Sequence, residues 1–239
     1  MTCSVPAIPP PYQGLWRRTG IFRSDGRIDL TTSVWWFQSA RFHIDVRIPQ
    51  DRPRLAQAAA LASLPPGQLV LFGAQSGFAG ITVVDGERCE WRPEIAFPAI
   101  SAELDAGLMR FDTPDNLHED GLDASYQEDW LRVATGPMTG MRLESLDDSG
   151  KVAYLIASAD WAAWACGDAS GHFPATAGNQ FSLLRRTRGT SSWRIVESNH
   201  SWLENSTIFT MPDITNCLPG QHFAFPIQTA SQWRISAIA

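Results

Sequence analysis

Cationic charge is scarce in this chain of 239 residues: nineteen Lys and Arg stand against twenty-five Asp and Glu, a formal net charge of -6. A phosphate backbone needs a basic footprint, so the balance argues against a nucleic-acid partner and against an anionic membrane surface. Long hydrophobic runs are missing too; none approaches the roughly 18 apolar residues of a spanning helix. The opening "MTCSVPAIPPPYQG" has neither a basic nor an apolar leader segment and does not read as a signal peptide. The four cysteines (Cys3, Cys89, Cys166, Cys217) lie far apart with no C-x-x-C, so free thiols and a cytoplasmic location are expected. On that expectation the two sequons at Asn199 and Asn205 carry no weight.

Signatures of chemistry are equally thin. There is no Gly-x-Gly-x-x-Gly and no Walker Gly-Lys, hence no support for a dinucleotide or NTP site. "GAQSG" (73–77) and "GDASG" (167–171) are Gly-x-x-Ser-Gly, which lacks the spacing of a nucleophile elbow. His43-x-Asp45 and four dispersed histidines (His118, His172, His200, His222) form no pair at ligand spacing, so no metal is expected and no haem site is indicated. The expectation is a protein without a cofactor.

What the chain does have is tryptophan, ten residues of it, each a large apolar body with one N–H that needs a partner when buried. It also has repeated period-two alternation. "LWRRTGIF" (15–22), "RIDLTTSVWWFQ" (27–38), "FHIDVRI" (42–48), "QLVLFG" (68–73), "GITVVDG" (80–86) and "CEWRPEIAF" (89–97) read as strands. So do "GMRLESL" (140–146), "KVAYLIAS" (151–158), "QFSLLRRT" (180–187), "SWRIVESN" (192–199), "STIFTM" (206–211) and "QWRISAIA" (232–239). A helix is expected over 53–64, between Asp51/Pro53 and the Pro65-Pro66-Gly67 stop, and a second short one in "DWAAWACG" (160–167). The class is mainly β.

Weak echoes run in parallel order through the two halves. Gly14-Leu15-Trp16-Arg17 pairs with Gly140-Met141-Arg142-Leu143, Asp25-Gly26-Arg27-Ile28 with Ser149-Gly150-Lys151-Val152, and Ser33/Trp36 with Ser158/Trp161. Gln68-Leu69 pairs with Gln180-Phe181, Trp91 with Trp202, and Tyr126-Gln127/Trp130 with Gln228/Trp233. Two similar β units are therefore expected, at 10–134 and 136–239, against the alternative of one large β domain. Closure of each unit into a barrel would remove its exposed edges, and a small barrel can hold one small ligand.

Gly14-Leu15-Trp16 on the first strand resembles the Gly-x-Trp motif of the calycin superfamily (lipocalins and fatty-acid-binding relatives), in which an Arg on the last strand packs over the Trp. Arg132 in "YQEDWLRV" stands where that Arg would be; the second unit departs from the motif with Gly140-Met141-Arg142. The layout is similar to the fungal Hri family of casein-kinase-interacting proteins, two tandem calycin-like barrels with a stretch matched here by Thr32, Val34, Phe42, Ile44, Asp45, Arg47 and Ile48. The resemblance implies two tandem calycin/lipocalin-like antiparallel β-barrels in a soluble protein, and no particular activity.

The candidate site centres on "FHIDVRI", where Arg41, His43, Asp45 and Arg47 share one strand face and Phe42, Ile44, Val46 and Ile48 the other. The polar face is either a wet outer wall or the lining of a cavity near a barrel rim. As a lining, Asp45 would orient and charge His43, a neighbouring carboxylate raising its pKa, and Arg47 would take an anionic or carbonyl group. Trp36, Trp91 and Trp130 would supply aromatic walls, and Gln38, Gln75, Phe78, Arg92, Glu94, Glu119, Tyr126 and Glu128 could converge on the same space. Gly77 and Gly80 flank Phe78 and let backbone approach closely. The second unit offers mainly Asp160, Glu197, His200 and Glu204.

The leading expectation is binding of a small apolar or aromatic molecule in the first barrel through Trp36, Gln38, Gln75, Phe78, Trp91, Arg92, Glu119 and Trp130. One alternative is a cofactor-independent lyase, isomerase or hydratase using His43, Asp45, Arg47 and Tyr126. Another is a non-catalytic interaction module with an exposed apolar patch and no cavity. A homodimer is compatible with each.

Overall fold

In the first strand, β1 (Gly14–Arg23), Trp16 and Arg18 are buried on one face while Arg17 and Thr19 on the other reach solvent. That alternation is the local cause of the architecture, since a strand with one apolar face must bury it against another element. The structure is a computed structural model that describes residues 6–101, 104–147, 149–168, 175–208, 216–225 and 231–239.

The first half continues through β2 (Ile28–Asp29), β3 (Ser33–Gln38), β4 (Phe42–Ile48), helix α1 (Pro66–Gly73), β5 (Ser76–Asp85), β6 (Arg88–Phe97), β7 (Asp105–Thr113), β8 (Asn116–Gly121) and β9 (Tyr126–Ala134). The neighbour order is β1-β3-β4-β5-β6-β7-β8-β9, every pair is antiparallel, and β9 pairs back to β1 from Leu15↔Ala134 to Arg23↔Tyr126. This closes an eight-stranded barrel, with the short β2 folded onto β1. Pro93 sits inside β6 because the ladder bulges there, and Gly80 opposite makes room. A Cβ on Gly80 would lie 2.1 Å from the Arg92 carbonyl oxygen.

The second half is an eight-stranded sheet built from β10 (Thr139–Ser145), β11 (Val152–Ala157), β12 (Trp161–Gly167), β13 (Gln180–Arg186), β14 (Trp193–Ser198), β15 (Thr207–Ile208), β16 (His222–Phe225) and β17 (Ser231–Ile238). Its order is β15-β14-β13-β12-β11-β10-β17-β16. Among the described residues β15 and β16 do not pair, so the expected second closed barrel is replaced by an open sheet.

Three element assignments are corrected. "QLVLFG" is not a strand but most of α1, for which Pro66 supplies a preset φ in the first turn. The segment expected as a helix over 53–64 holds only a 3-10 turn at Ala58–Ser63. "DWAAWACG" is β12, its small alanines letting it lie buried on both faces. A six-residue apolar run cannot be assigned by period alone, which is why the first of these misled. The echo of Trp36 in Trp161 is likewise displaced, since β3 carries one and β12 the other. The equivalent pair is Ser39 and Ser158: each backbone N–H donates to a carbonyl three residues on, Phe42 and Trp161 respectively.

Three apolar clusters organise the packing. One fills the first barrel's closed end, where the N-terminal turn at Pro10–Tyr12 brings Ile8 and Tyr12 against Trp16 and Phe111. A second lies on the face of the second sheet turned away from the first half, with Leu143, Leu155, Trp164, Ile195 and Trp233. The third and most extensive joins the two halves: Phe42, Ile44, Val46 and Ile48 on the outer face of β4 meet Tyr154, Ile156, Phe181 and Leu183 of the second sheet. Gly77 permits that approach, since a Cβ there would lie 2.6 Å from the Phe181 ring. No disulfide forms among the described residues, and no described helix is long and apolar enough to cross a membrane.

Candidate functional site

The two faces of β4 are both buried, and this answers which way the polar one points. Its apolar side chains are covered by the second sheet, so His43 and Asp45, 0% and 2% exposed, project into the first barrel. Arg47 follows at the barrel's open end and Arg41 lies in the turn at the other.

His43 sits deep, opposite Gln38 and beside the β3–β4 turn. Gln38 Nε2 donates to the Ser39 and Phe42 carbonyls, which fixes its Oε1 as an acceptor for Trp36 Nε1 (3.0 Å) and Thr82 Oγ1 (2.7 Å). Thr82 has then spent its proton, so it accepts from His43 Nδ1 at 3.0 Å. The imidazole is thereby held as the Nδ1–H tautomer, with the lone pair of Nε2 unpartnered among the described residues. Trp130 Nε1, also inside the barrel, is a buried donor without a partner among the described residues.

The expected His43–Asp45 pairing does not form. Asp45 instead accepts from Arg47 Nε at 2.7 Å, and the Arg47 guanidinium lies over the Phe78 ring at 5.0 Å. Burial alone drives the His43 pKa down to about 3, the reverse of the sequence expectation. Burial lifts Asp45 to about 6 even though Arg47 pulls it back.

Strand alternation brings further charge to this interior. Arg18, two residues beyond Trp16, pairs with Glu128 at 2.6 Å and with Asp29 at 3.3 Å. Glu119 accepts from Tyr126 Oη at 2.8 Å. Its carboxyl is pushed up to about 8, first by burial and then by Glu128, with the Tyr126 hydrogen bond opposing. Burial also raises Asp105, which Arg47 partly offsets. Gly107 leaves space for Glu119, since a Cβ there would come within 2.6 Å of its Cγ. The upper barrel thus holds four carboxyl groups, Asp45, Asp105, Glu119 and Glu128, against two guanidiniums.

Above this layer the barrel opens. A cleft of about 450 Å³ is lined by Phe78, Trp91, Arg92, Ala96, Leu104 and Asp105, among others. A second, of about 420 Å³, runs past Asp105, Leu122 and Tyr126, and the two share Ser101, Leu104 and Asp105. Of the sequence candidates, Phe78, Trp91, Arg92 and Tyr126 line these clefts. Trp36, Gln38, Glu119 and Trp130 lie within the barrel, Trp36 packing edge-on against Trp91 at 5.4 Å and Trp130 at 5.9 Å. Gln75 stands apart, donating to the Phe72 carbonyl at the end of α1. Glu94 also serves elsewhere, bound by Arg142 and Tyr154 of the second sheet. His200 is buried against Trp202, bonded to the Ala177 carbonyl, and held down to about 4 by burial. His172 lies outside the described residues.

Sequence reasoning missed Arg18, Thr82 and Asp105. Continuing the period of two from Trp16 to Arg18 and from Phe78 towards Thr82 marks the first two as inward. Asp105 opens β7, a strand whose alternation is blurred by its exposed end. No group of three metal-binding side chains occurs among the described residues.

The expected stacking of Arg132 on Trp16 is present, guanidinium to ring at 4.4 Å, with Arg132 also donating to the Pro11 carbonyl and Trp16 Nε1 to that of Tyr12. Comparison with known proteins adds the fold. No family model matches the chain, and no curated protein matches it in sequence. The chain is similar in structure to an uncharacterized protein, YLR301w, of Saccharomyces cerevisiae, with a TM-score of 0.60 at 12% identity. The match covers 98% of this chain and 99% of that one.

Proposed function

We propose that the first unit is a calycin-like barrel that binds a small, largely apolar or aromatic molecule at its open end. The carrying observation is the cleft of about 450 Å³ between Phe78, Trp91, Ala96, Phe97 and Leu104, which leads onto the charged layer of the barrel. Its size and its mix of aromatic walls with few polar groups suit a small-molecule site. Ile100, Leu104 and Leu122 stay exposed at the rim, where an apolar ligand would cover them. The Trp16–Arg132 stack and the aromatic plug below it support the calycin reading.

The interior charge selects the ligand's polarity. Arg47 and Arg18 are already paired, and Asp105 has no ion-pair partner among the described residues, so an anionic head group meets repulsion while a neutral donor or a cation meets an acceptor. Trp91 on the cleft wall is the reporter. Titration with a panel of aromatic, lipid and haem probes should quench or shift tryptophan emission for a neutral or cationic aromatic probe, and Trp91→Phe should remove most of that response. A flat response across the panel overturns the reading.

One observation favours a second reading, acid–base chemistry at Glu119 rather than His43. Glu119 is held near neutrality and touches Tyr126, which lines the mouth, whereas His43 is sealed in and bonded to Thr82. It predicts that Glu119→Gln abolishes turnover of a bound substrate and that His43→Ala does not.

A further inference from the structure

The second sheet carries charge on its outer face that its own fold leaves uncompensated. Arg185 on β13 stands directly opposite Arg194 on β14 and beside Trp161 on β12. Like charges facing each other across an antiparallel pair repel, and a neighbouring carboxylate usually relieves them. None does so here: Arg185, Arg186, Arg188 and Arg194 form no ion pair among the described residues. Arg194 reaches only the neutral side-chain oxygen of Asn205, and Arg186 only the Thr190 carbonyl at 3.2 Å. The neighbourhood extends over the seam between the halves, where Arg17 lies on Trp35, Trp35 against Trp161 at 5.8 Å, and Arg185 on Trp161 at 5.0 Å. In a chain of net charge -6, so many unpaired arginines in one place need a reason.

Three of these arginines, Arg185, Arg186 and Arg188, line a cleft of about 640 Å³ together with Trp161, the single carboxylate Asp160, and the hydroxyl-bearing turn Thr187–Ser191. The turn is fixed by a Thr190 N–H to Thr187 carbonyl bond at 3.1 Å, with Gly189 at φ +76°. Three guanidinium forks and a row of hydroxyls around one recess match the oxygens of a tetrahedral dianion, which Arg binds in bidentate fashion. The Trp161 indole already contacts Trp35 and Arg185, and the recess beside it is dominated by charge and hydroxyls. We propose that this cleft is a phosphate site, taking inorganic phosphate or the phosphate end of a small phosphomonoester, independent of the first barrel.

The test is ³¹P line broadening and calorimetry of the whole protein with inorganic phosphate and, separately, with glycerol phosphate. Arg186→Gln and Arg188→Gln change exposed residues and should leave the thermal midpoint unchanged. Each should weaken binding about tenfold, the worth of a charge-assisted hydrogen bond. Added sodium chloride should weaken it further. Equal affinity for the two probes assigns free phosphate, and tighter binding of the ester assigns a phosphomonoester. No binding of either probe at millimolar concentration, or undiminished binding by Arg188→Gln, overturns the site.

Discussion

The interiors of the two sheets are built from comparable strands and filled in opposite ways. The face of the second turned away from the first holds Met141, Leu143, Leu155, Trp164, Leu184, Ile195, Trp233 and Ile235, and its few polar groups, such as Gln180, Ser182 and Ser198, satisfy one another. The first barrel is apolar only at its closed end, while its upper half encloses Arg18, Asp45, Arg47, Asp105, Glu119 and Glu128. The second sheet shows that strands of this kind can be packed by a largely apolar face with no buried charge in it. Charges withdrawn from water cost free energy that their pairing offsets only in part, so the polar half of the first barrel adds less to stability than an apolar filling would.

The most direct way to break this contrast is to unpair one interior charge. Arg18→Met strands Glu128, whose side chain is 4% exposed, and should cost about 3–5 kcal/mol in urea unfolding. Adding Glu128→Leu makes the first barrel resemble the second and should recover most of the loss. A double variant that stays as unstable as the single one would mean that the charges serve the fold after all.

The face shared by the two sheets gives the next largest effect. Ile44 is fully buried in the cluster that joins them, so Ile44→Ala should cost about 2–5 kcal/mol. Because the cluster belongs to both halves, the variant should still unfold in one transition by both far-ultraviolet circular dichroism and tryptophan emission. Two separated transitions would show that each sheet is stable without the other.

Acidity separates the interiors a third way. The Glu119 carboxyl ionises near pH 4.5 in the unfolded chain and only at about 8 when folded. Over that window the unfolded state sheds its proton first, so the group subtracts stability as the pH rises, by a few kcal/mol at most. Asp45 acts in the same sense between about 3.8 and 6. Glu119→Gln keeps an acceptor for Tyr126, so its stability relative to the native protein should increase steadily from pH 5 to pH 8. A difference that stays constant with pH would place the Glu119 proton elsewhere.

How far the sequence discloses this depends on the range of the cause. Alternation within "FHIDVRI" is local, and it separates His43, Asp45 and Arg47 correctly from Phe42, Ile44 and Val46. Which face is covered is not local, because the cover over Ile44 comes from Tyr154 and Phe181, more than a hundred residues away. A base rate that assumes one wet face per strand therefore points the wrong way for a strand caught between a barrel and a second sheet. The Arg132–Trp16 stack was legible because its two positions follow from a motif and a strand order. The Asp45–Arg47 pair was not, since i to i+2 neighbours on one strand face offered His43 and Arg47 equally as partners, and only burial decides between them. Strand closure in the second half was overestimated for a similar reason: pairing between the two edge strands β15 and β16 is a non-local property that alternation does not encode.

The smallest effect tests whether His43 belongs to the aromatic lower layer or to the charged upper one. Thr82 is the only hydrogen-bond partner of its ring among the described residues, and Gln38, which completes the chain, retains Trp36 when Thr82 is lost. Thr82→Val should therefore cost about 1–2 kcal/mol by stranding the Nδ1 proton in the barrel. The imidazole would then be free to move its proton to Nε2, whose lone pair is unpartnered among the described residues. Nitrogen-15 shifts of the His43 ring should report the change of tautomer directly, at a pH where the neutral ring persists. An unchanged Nδ1–H tautomer in the variant would mean that another group holds the proton. If the ring does switch while ligand quenching of Trp91 is unaltered, His43 is part of the packed floor, and recognition lies wholly in the layer above it.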